Sequence, residues 1–192
     1  MRGALECAAA AIGSLPFVRR VLVAIDGVDG AGKTTFADLL APLVGRPVVR
    51  ASADDFHNPR ALRYRLGRDS AEGFFRDAFD VPALVHRLLD PFERREPFRR
   101  QIFNHRANAP VVSLDENAPA DAVLLLDGIF LHREELRGRW DLSILLNVWP
   151  AVAAERFSKR DGRPPASRYV RGQEIYFMRC DPGAHASLVL DW

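Results

Sequence analysis

A glycine-rich turn near the start of the sequence combines residue types that bind phosphate. Residues 27–34 read GVDGAGKT and fit the pattern G-x-x-x-x-G-K-[ST]. Glycines let successive backbone N–H groups point inward around a polyphosphate, and the Thr34 hydroxyl is a ligand for Mg²⁺. The pattern predicts a nucleotide site formed by Gly27, Asp29, Gly30, Ala31, Gly32, Lys33, Thr34 and Thr35.

The lysine of this turn stands out against the composition of the chain. Among 27 basic residues, only Lys33 and Lys159 are lysines. An ammonium group can follow the β- and γ-phosphates as they separate, whereas the flat guanidinium of arginine is a poor substitute there. Lys33 is therefore expected to take part in catalysis.

An acidic pair provides a second candidate for chemistry. Asp54 and Asp55 lie at the end of the predicted second strand, 47–52, just after Ala53. An enzyme that phosphorylates an alcohol needs a carboxylate near the γ-phosphate, which orients the hydroxyl and accepts its proton. Asp54 is the expected base. The alternative is that one or both aspartates only cap the next helix.

Five short apolar runs must position these residues. They alternate with segments of helical spacing, which predicts a three-layer α/β domain with a five-stranded parallel sheet and helices on both faces. In such sheets ligands bind beyond the carboxyl ends of the strands, so Gly27, Asp54 and Asp127 should share one edge. The predicted strands are 21–25, 47–52, 122–127, 142–148 and 187–191, and the predicted helices are 33–44, 81–89, 131–137, 151–160 and 168–180. Residues 58–79 are expected to be irregular, and 98–103 with 109–114 a hairpin.

Composition limits the remaining choices. A net charge of +2 implies no general surface for polyanions, and no apolar run reaches the roughly 18–20 residues of a membrane span. Cys7 and Cys180 are too few for a disulfide framework, which favours a reducing, cytoplasmic setting. Residues 1–19 are predicted to form a short helix on the domain rather than a signal peptide.

Two classes of nucleotide-binding protein lack their usual marks in this sequence. A GTPase usually reads guanine with N-K-x-D, and no Asn-Lys pair occurs in the chain. A motor ATPase usually places a glutamate beside the aspartate that ends its third strand, whereas Gly128 follows Asp127. Both absences favour a kinase that uses ATP and Mg²⁺, because phosphoryl transfer to an acceptor needs no water-activating base.

The motifs together resemble a known family. The set GVDGAGKTT, DDFH, FD at 79–80, LLLDGIF and RFSKRD resembles the uridine kinase and phosphoribulokinase group of P-loop kinases, over residues 20–191. Nicotinamide riboside kinases and bacterial pantothenate kinases are relatives of that group. The resemblance implies one P-loop kinase domain over 1–192, with a short lid at 156–168 and an acceptor-side hairpin insertion at 92–114. It implies phosphorylation of a hydroxyl of a uridine- or cytidine-like nucleoside, or of a related small metabolite.

The resemblance also assigns roles to individual residues. It implies Asp54, Lys33 and Arg160 as catalytic, Thr34, Asp127 and Asp54 around the metal, Arg156 and Arg163 over the phosphates, and Asp55, Phe56, Asp80, Arg100 and His105 around the acceptor. Lys159 is a second lid candidate, with Gly162 as a hinge. Asp80 is equally suited to cap the helix at 81–89, and any single arginine or His105 could be a solvated surface residue.

Several kinds of acceptor fit the sequence. Arginines at 94, 95, 99, 100 and 106 make the hairpin cationic, which fits an anionic acceptor, a nucleic-acid patch or a solvated face. The loop also resembles that of thymidylate kinases, in which Asp29 would face the acceptor sugar. A phosphorylated sugar, nicotinamide riboside, pantothenate or thymidylate-type nucleotide are alternative acceptors. A nucleotide-binding regulatory or nucleic-acid-associated module is the other class, although we expect a small-molecule acceptor, no membrane and no nucleic acid as partners, and leave a homo-oligomer open.

Overall fold

The computed structural model describes residues 2–192 and contains a five-stranded parallel sheet. The strands in chain order are β1 (Val21–Asp26), β2 (Val48–Ser52), β3 (Phe103–Asn104), β4 (Ala109–Pro110), β5 (Val123–Asp127), β6 (Leu142–Asn147) and β7 (Leu188–Asp191). The main sheet has the order β2-β5-β1-β6-β7, while β3 and β4 form a separate antiparallel pair. In the main sheet Val23 is paired with Leu125 on one side and with Leu142 on the other.

The helices connect these strands and cover the sheet. They are α1 (Arg2–Gly13), α2 (Lys33–Leu40), α3 (Arg60–Arg63), α4 (Ala71–Asp77), α5 (Val81–Leu84), α6 (Asp90–Glu93), α7 (Pro150–Asp161), α8 (Ser167–Cys180) and α9 (Pro182–His185). A π-helical turn at Val85–Leu89 joins α5 to α6, and 3₁₀ turns lie at Ala41–Leu43 and Ala53–Phe56. Between Arg2 and Trp192, no helix is both long and apolar enough to cross a bilayer.

Two apolar clusters fill the space on the two faces of the sheet. Successive side chains of a strand point to opposite faces, so the continuous apolar run of β1 serves both clusters. Val23 and Ile25 pack with Phe36 and Leu40 of α2, together with Ile12 of α1. On the other face, Leu22, Ala24, Leu124 and Leu126 pack with Phe74, Leu84, Phe130 and Tyr176. The predicted three-layer α/β fold is confirmed.

The strand predictions hold at all five positions, and the helices expected at 33–44, 81–89, 151–160 and 168–180 are also present. The predicted N-terminal helix covers Arg2–Gly13, whereas Met1 lies outside the described residues. The hairpin is present but short, since only Phe103–Asn104 and Ala109–Pro110 pair as strands.

Two local predictions were wrong. Residues 131–137 form turns instead of a helix, because the backbone N–H groups of Leu131 and His132 donate to the buried Asp26 carboxylate and Phe130 adopts a positive φ of 69°. Residues 58–79 are more regular than expected. They contain α3 and α4, and α4 buries Phe74 and Phe75 against the core.

Candidate active site

The glycine-rich turn lies between β1 and α2, at the carboxyl edge of the sheet. Gly30 and Gly32 have positive φ values of 80° and 85°, which glycine adopts without strain. A Cβ atom at Gly30 would lie 2.1 Å from the Ala153 carbonyl oxygen. The turn therefore requires glycine for its curvature and for its close approach to α7.

Lys33 begins α2 and its side chain folds back over the turn. The ammonium donates to the carbonyl oxygens of Gly27 at 2.9 Å and Val28 at 3.0 Å. The neighbouring Arg156 of α7 donates to the Ala31 carbonyl at 3.3 Å, which brings a second cation to the same turn. Ala31 itself is buried, so it can offer only backbone atoms to a nucleotide.

A buried cluster fixes the entry to this turn. The Asp26 carboxylate, fully buried at the end of β1, accepts hydrogen bonds from the Gly27 N–H, the Tyr176 hydroxyl and the His132 ring. It also accepts the backbone N–H of Leu131. Burial and the adjacent Asp26 raise the pKa of Tyr176 well above its usual range, so Tyr176 stays a neutral hydrogen-bond donor. These bonds tie the turn to the segment that follows β5.

Thr34 and Asp127 provide the oxygen donors expected of a magnesium site. The Thr34 hydroxyl donates to Asp127 Oδ2 at 2.8 Å, and Asp127 Oδ1 accepts from Arg50 at 3.0 Å. Burial is the largest influence on Asp127 and raises its pKa, against the attraction of Arg50. Mg²⁺ prefers a few protein oxygens together with phosphate oxygens and water, so a hydroxyl beside a carboxylate at the phosphate turn fits the ion.

These groups surround a cleft of about 500 Å³. Of the predicted nucleotide residues, Asp29, Gly30, Gly32, Lys33, Thr34, Thr35 and Arg156 line it, together with Ser52, Asp54, Asp127, Gly128, Ile129 and Arg160. Asp54 lies in the 3₁₀ turn that follows β2, and its backbone N–H donates to the Ser52 hydroxyl at 3.3 Å. Its side chain is 58% exposed, which leaves the carboxylate free to meet a substrate.

A second cavity of about 160 Å³, the acceptor chamber, opens beside this cleft. The two spaces share Asp29, Asp54, Ile129 and Arg160. The rest of the chamber wall is mainly aromatic and basic: His57, Arg63, Tyr64, Phe74, Ala78, Phe79, His105, Phe157, Asp161, Arg163, Arg168 and Tyr169. Two carboxylates and a guanidinium therefore lie where the two cavities meet.

The residues at this junction interact electrostatically. Burial raises the pKa of Asp29, while the positive charges of Lys33 and Arg160 act in the opposite direction. The Asp29 backbone N–H donates to the Gln173 side chain at 2.8 Å, which links the turn to α8. Arg160 pairs with Asp161 at 2.6 Å.

The structure does not bring all predicted acceptor residues to the chamber. His105 lines it, but Phe56 is fully buried in the core and cannot contact a substrate. Arg163, which was predicted to lie over the phosphates, lines this chamber and not the phosphate-turn cleft. Asp80 accepts the Ala83 N–H at 2.9 Å, which is the alternative capping role. Arg100 pairs with Glu116, which lies nearby because Phe98 and Glu116 form an isolated antiparallel bridge.

Asp55 also has a partner outside the two cavities. Its carboxylate accepts a hydrogen bond from Gln101 at 2.7 Å. Burial, together with the nearby negative charge of Asp54, raises the pKa of Asp55 to about 6. Lys159, the second lid candidate, pairs with Glu155 and is 77% exposed.

Several residues of the site carried no recognisable signal in the sequence. Arg50 lies inside β2 and reaches Asp127 only because β2 and β5 are neighbours. Arg63 and Arg168 lie far apart along the chain, and no motif includes them. His57 could have been singled out, because it belongs to the DDFH motif. Its ring bonds to the Asp54 carbonyl at 2.8 Å and lies 4.7 Å from the ring of His105.

Comparison with known proteins finds kinases. A thymidylate kinase from Xylella fastidiosa (strain 9a5c) is 31% identical over 153 residues, which cover 75% of this chain and 69% of the relative. A thymidylate kinase from Xanthomonas campestris pv. campestris (strain B100) is 30% identical over 152 residues, and the chain spans 63% of its length. No family model matches the chain.

Solved structures show the same fold. A chain from Bacillus stearothermophilus described as a possible uridine kinase has a TM-score of 0.78 at 24% identity, with 99% of this chain and 98% of that chain covered. A chain from Silicibacter sp. TM1040, provisionally described as a fructose transport system kinase, has a TM-score of 0.71 at 23% identity, with 99% of each chain covered. On its phosphate turn, its fold and its identity to the curated relatives, this chain belongs to the P-loop kinases.

Proposed function

We propose that this P-loop kinase transfers the γ-phosphoryl group of ATP to a hydroxyl group of a small metabolite. The observation that carries the proposal is the position of Asp54, which lines both the phosphate-turn cleft and the acceptor chamber. A carboxylate at that boundary can orient an acceptor hydroxyl toward the γ-phosphate. Asp29 also borders both spaces, but the Asp54 side chain is 58% exposed, so Asp54 is better placed to meet an acceptor hydroxyl.

The cleft residues bind and position the nucleotide. The backbone of residues 28–35 and the Lys33 ammonium hold the phosphates, with Arg156 beside the turn. Thr34 and Asp127 would hold Mg²⁺, which neutralises charge on the phosphate oxygens when bound. Arg160 stands at the boundary and can stabilise charge that spreads over the transferred group, with Arg163 further along the lid segment.

The transfer step needs one proton acceptor. The acceptor oxygen forms a bond to the γ-phosphorus while the bond from that phosphorus to the β–γ bridging oxygen breaks, and ADP leaves. The hydroxyl proton passes to the Asp54 carboxylate as the new bond forms. The 58% exposure of this side chain supports the assignment, because an acceptor hydroxyl can reach the carboxylate by displacing water.

A nucleoside of the uridine or cytidine type is the acceptor that the family resemblance implies. The paired rings of His57 and His105, with Tyr64 on the same wall, support a flat ring in the chamber. The names of the curated relatives point to thymidylate, a nucleotide. A phosphorylated sugar, nicotinamide riboside and pantothenate remain alternatives for the same site.

Ion pairs of arginines in the hairpin region argue against the alternative function, a regulatory or nucleic-acid-associated module. Arg99 pairs with Asp115 at 2.5 Å, and Arg100 pairs with Glu116 at 2.8 Å. These contacts neutralise two of the arginines that would form a basic patch. A cytoplasmic location and a homo-oligomer stay predictions.

An acceptor screen scored by ADP release tests the proposed function. ADP release should be slow with ATP and Mg²⁺ alone and rise at least about tenfold with a true acceptor, because an acceptor bound in the chamber presents its hydroxyl to Asp54 far more often than free water does. Lys33→Met should abolish this activity, while Lys159→Met, the matched change of the only other lysine, should retain it. ADP release that no hydroxylated metabolite stimulates, but that nucleic acid does, would contradict the proposal.

A further inference from the structure

Acidic and basic side chains line different parts of the acceptor chamber. Asp29 and Asp54 lie on the wall shared with the phosphate-turn cleft, whereas Arg63, Arg163 and Arg168 line only the chamber. The end of the chamber that does not face the nucleotide is therefore basic. The remaining side chains there are mainly aromatic, and the carboxylate of Asp161 is already paired with Arg160.

The Arg168 side chain packs against aromatic rings at this basic end. It is only 8% exposed, and its guanidinium carbon lies 4.8 Å from the centre of the Tyr64 ring and 5.4 Å from that of Tyr169. One terminal nitrogen donates to the carbonyl oxygen of Arg68. The buried Nε has no hydrogen-bond partner in the part of the chain that the structure describes.

Arg63 repeats this pattern from α3. Its terminal nitrogen donates to the His105 carbonyl at 3.3 Å, and its buried Nε also has no partner among the described residues. Burial lowers the pKa of Arg63, and the positive charge of Arg168 acts in the same direction. Within residues 2–192, neither Arg63 nor Arg168 forms an ion pair with a carboxylate.

Arginines elsewhere in the chain are partnered in two ways: the buried Arg20 and Arg46 donate to backbone carbonyl oxygens, and others pair with carboxylates. Arg50 pairs with Asp127 at 3.0 Å, and Arg139 pairs with Asp90 at 2.7 Å. Removing a guanidinium from water without an anionic partner costs free energy, so two such groups around one cavity favour an anion from solution. Guanidinium groups bind phosphate and carboxylate oxygens through directed N–H bonds.

We propose that the acceptor carries a phosphate or carboxylate group, which Arg63 and Arg168 bind while the reacting hydroxyl faces Asp54. This inference rests on the proposed kinase function and narrows its substrate class. The chamber volume of about 160 Å³ is close to that of cavities that hold a single six-membered ring. The acceptor is therefore compact, such as a hydroxy acid or a small sugar phosphate, and differs from the neutral nucleoside that the resemblance implies.

Calorimetric binding with matched acceptor pairs tests this proposal without requiring turnover. Each pair differs by one anionic group: glycerol with glycerate, ribose with ribose 5-phosphate, and uridine with uridine monophosphate, all with a non-hydrolysable ATP analogue and Mg²⁺ present. The anionic member of a compact pair should bind at least about tenfold more tightly than the neutral member, because hydrogen bonds between charged groups are stronger than those between neutral groups. The glycerate and ribose 5-phosphate measurements separate carboxylate from phosphate recognition.

Substitutions of Arg63 and Arg168 test whether these two arginines cause the preference for an anionic acceptor. Arg63→Gln and Arg168→Gln should each weaken the preferred anion at least about tenfold and leave its neutral partner unchanged. Arg99→Gln is the matched control, because Arg99 pairs with Asp115 outside the chamber. If Arg168→Gln fails to fold, Arg63→Lys provides a second test. It keeps the positive charge, so it should retain part of the preference for the anionic member of a pair.

The outcomes distinguish this proposal from the proposed function. Anion binding that depends on Arg63, without phosphoryl transfer to any bound compound, would support the chamber and contradict the kinase reaction. Phosphoryl transfer to a neutral nucleoside, with equal binding of charged and neutral members, would support the kinase and overturn the anionic acceptor. Failure of every anionic member to bind would also overturn it.

Discussion

The Thr34 hydroxyl and the Asp127 carboxylate are in hydrogen-bond contact at 2.8 Å, although 93 residues separate them in the sequence. The contact follows from the sheet, because β1 lies beside β5 and Ile25 is in register with Asp127. The turn that leaves β1 and the residue that ends β5 must therefore meet. This geometry places two candidate magnesium ligands together at the phosphate turn.

Removing the Thr34 hydroxyl should weaken the use of magnesium. We expect Thr34→Val to raise the Mg²⁺ concentration for half-maximal ADP release by about tenfold or more, because a hydroxyl ligand is lost while Asp127 remains. Thr34→Ser keeps the hydroxyl and should behave like the unchanged protein. An unaltered Mg²⁺ titration in Thr34→Val would remove Thr34 from the metal site.

The close approach of Gly30 to α7 predicts a large cost for a small substitution. Gly30→Ala should lower the melting temperature more than Gly45→Ala and weaken ATP binding, because its Cβ would collide with the Ala153 carbonyl. Gly45 also has a positive φ, of 68°, but no atom of residues 2–192 would lie within 4 Å of a Cβ added there. Gly45→Ala should therefore show only the backbone cost of about 1–2 kcal/mol. Equal melting temperatures in the two variants would show that α7 can move away from the turn.

The sequence was most informative where local chemistry determines structure. The central strands β1, β5 and β6 could be predicted because burial on both faces demands continuous apolar runs. The phosphate turn could be predicted because its glycines and Lys33 are close together in the chain. The helix predicted at 131–137 failed because the distant Asp26 carboxylate takes the N–H groups of Leu131 and His132.

The acceptor side could be predicted least. Arg63 and Arg168 meet only through tertiary packing, and in an arginine-rich chain they look like any other arginines. Arg100 was expected at the acceptor from its place in the hairpin, but Glu116 holds it elsewhere. Pairing between side chains of distant segments determines where these arginines lie, and no local sequence pattern predicts it.

The raised pKa of Asp55 predicts a specific dependence of stability on pH. The folded-state pKa of about 6 lies above the ordinary value of 3.8, so between these values the folded state binds more protons than the unfolded state. The contribution of Asp55 to stability is thus greatest below about pH 4 and is lost as the pH rises through 6. Asp55→Asn should therefore melt at a higher temperature than the unchanged protein at pH 7, while this advantage disappears near pH 4.

Asn can still accept the Gln101 hydrogen bond, so Asp55→Asn isolates the effect of charge. Asp115→Asn is a suitable control, because Asp115 is an exposed carboxylate in a surface pair with Arg99. The difference in melting temperature between Asp55→Asn and the unchanged protein could instead stay constant from pH 4 to pH 7. That result would show that ionisation of Asp55 does not destabilise the folded state.

Single-turnover phosphoryl transfer by Asp54→Asn tests the central claim most directly. With the preferred acceptor and saturating ATP and Mg²⁺, the rate should fall by about 100- to 10,000-fold, while ATP affinity and melting temperature stay close to those of the Asp115→Asn control. That result would assign Asp54 to the chemical step, since its exposed side chain supports neither the core nor the phosphate turn. A transfer rate equal to that of the unchanged protein would contradict the account.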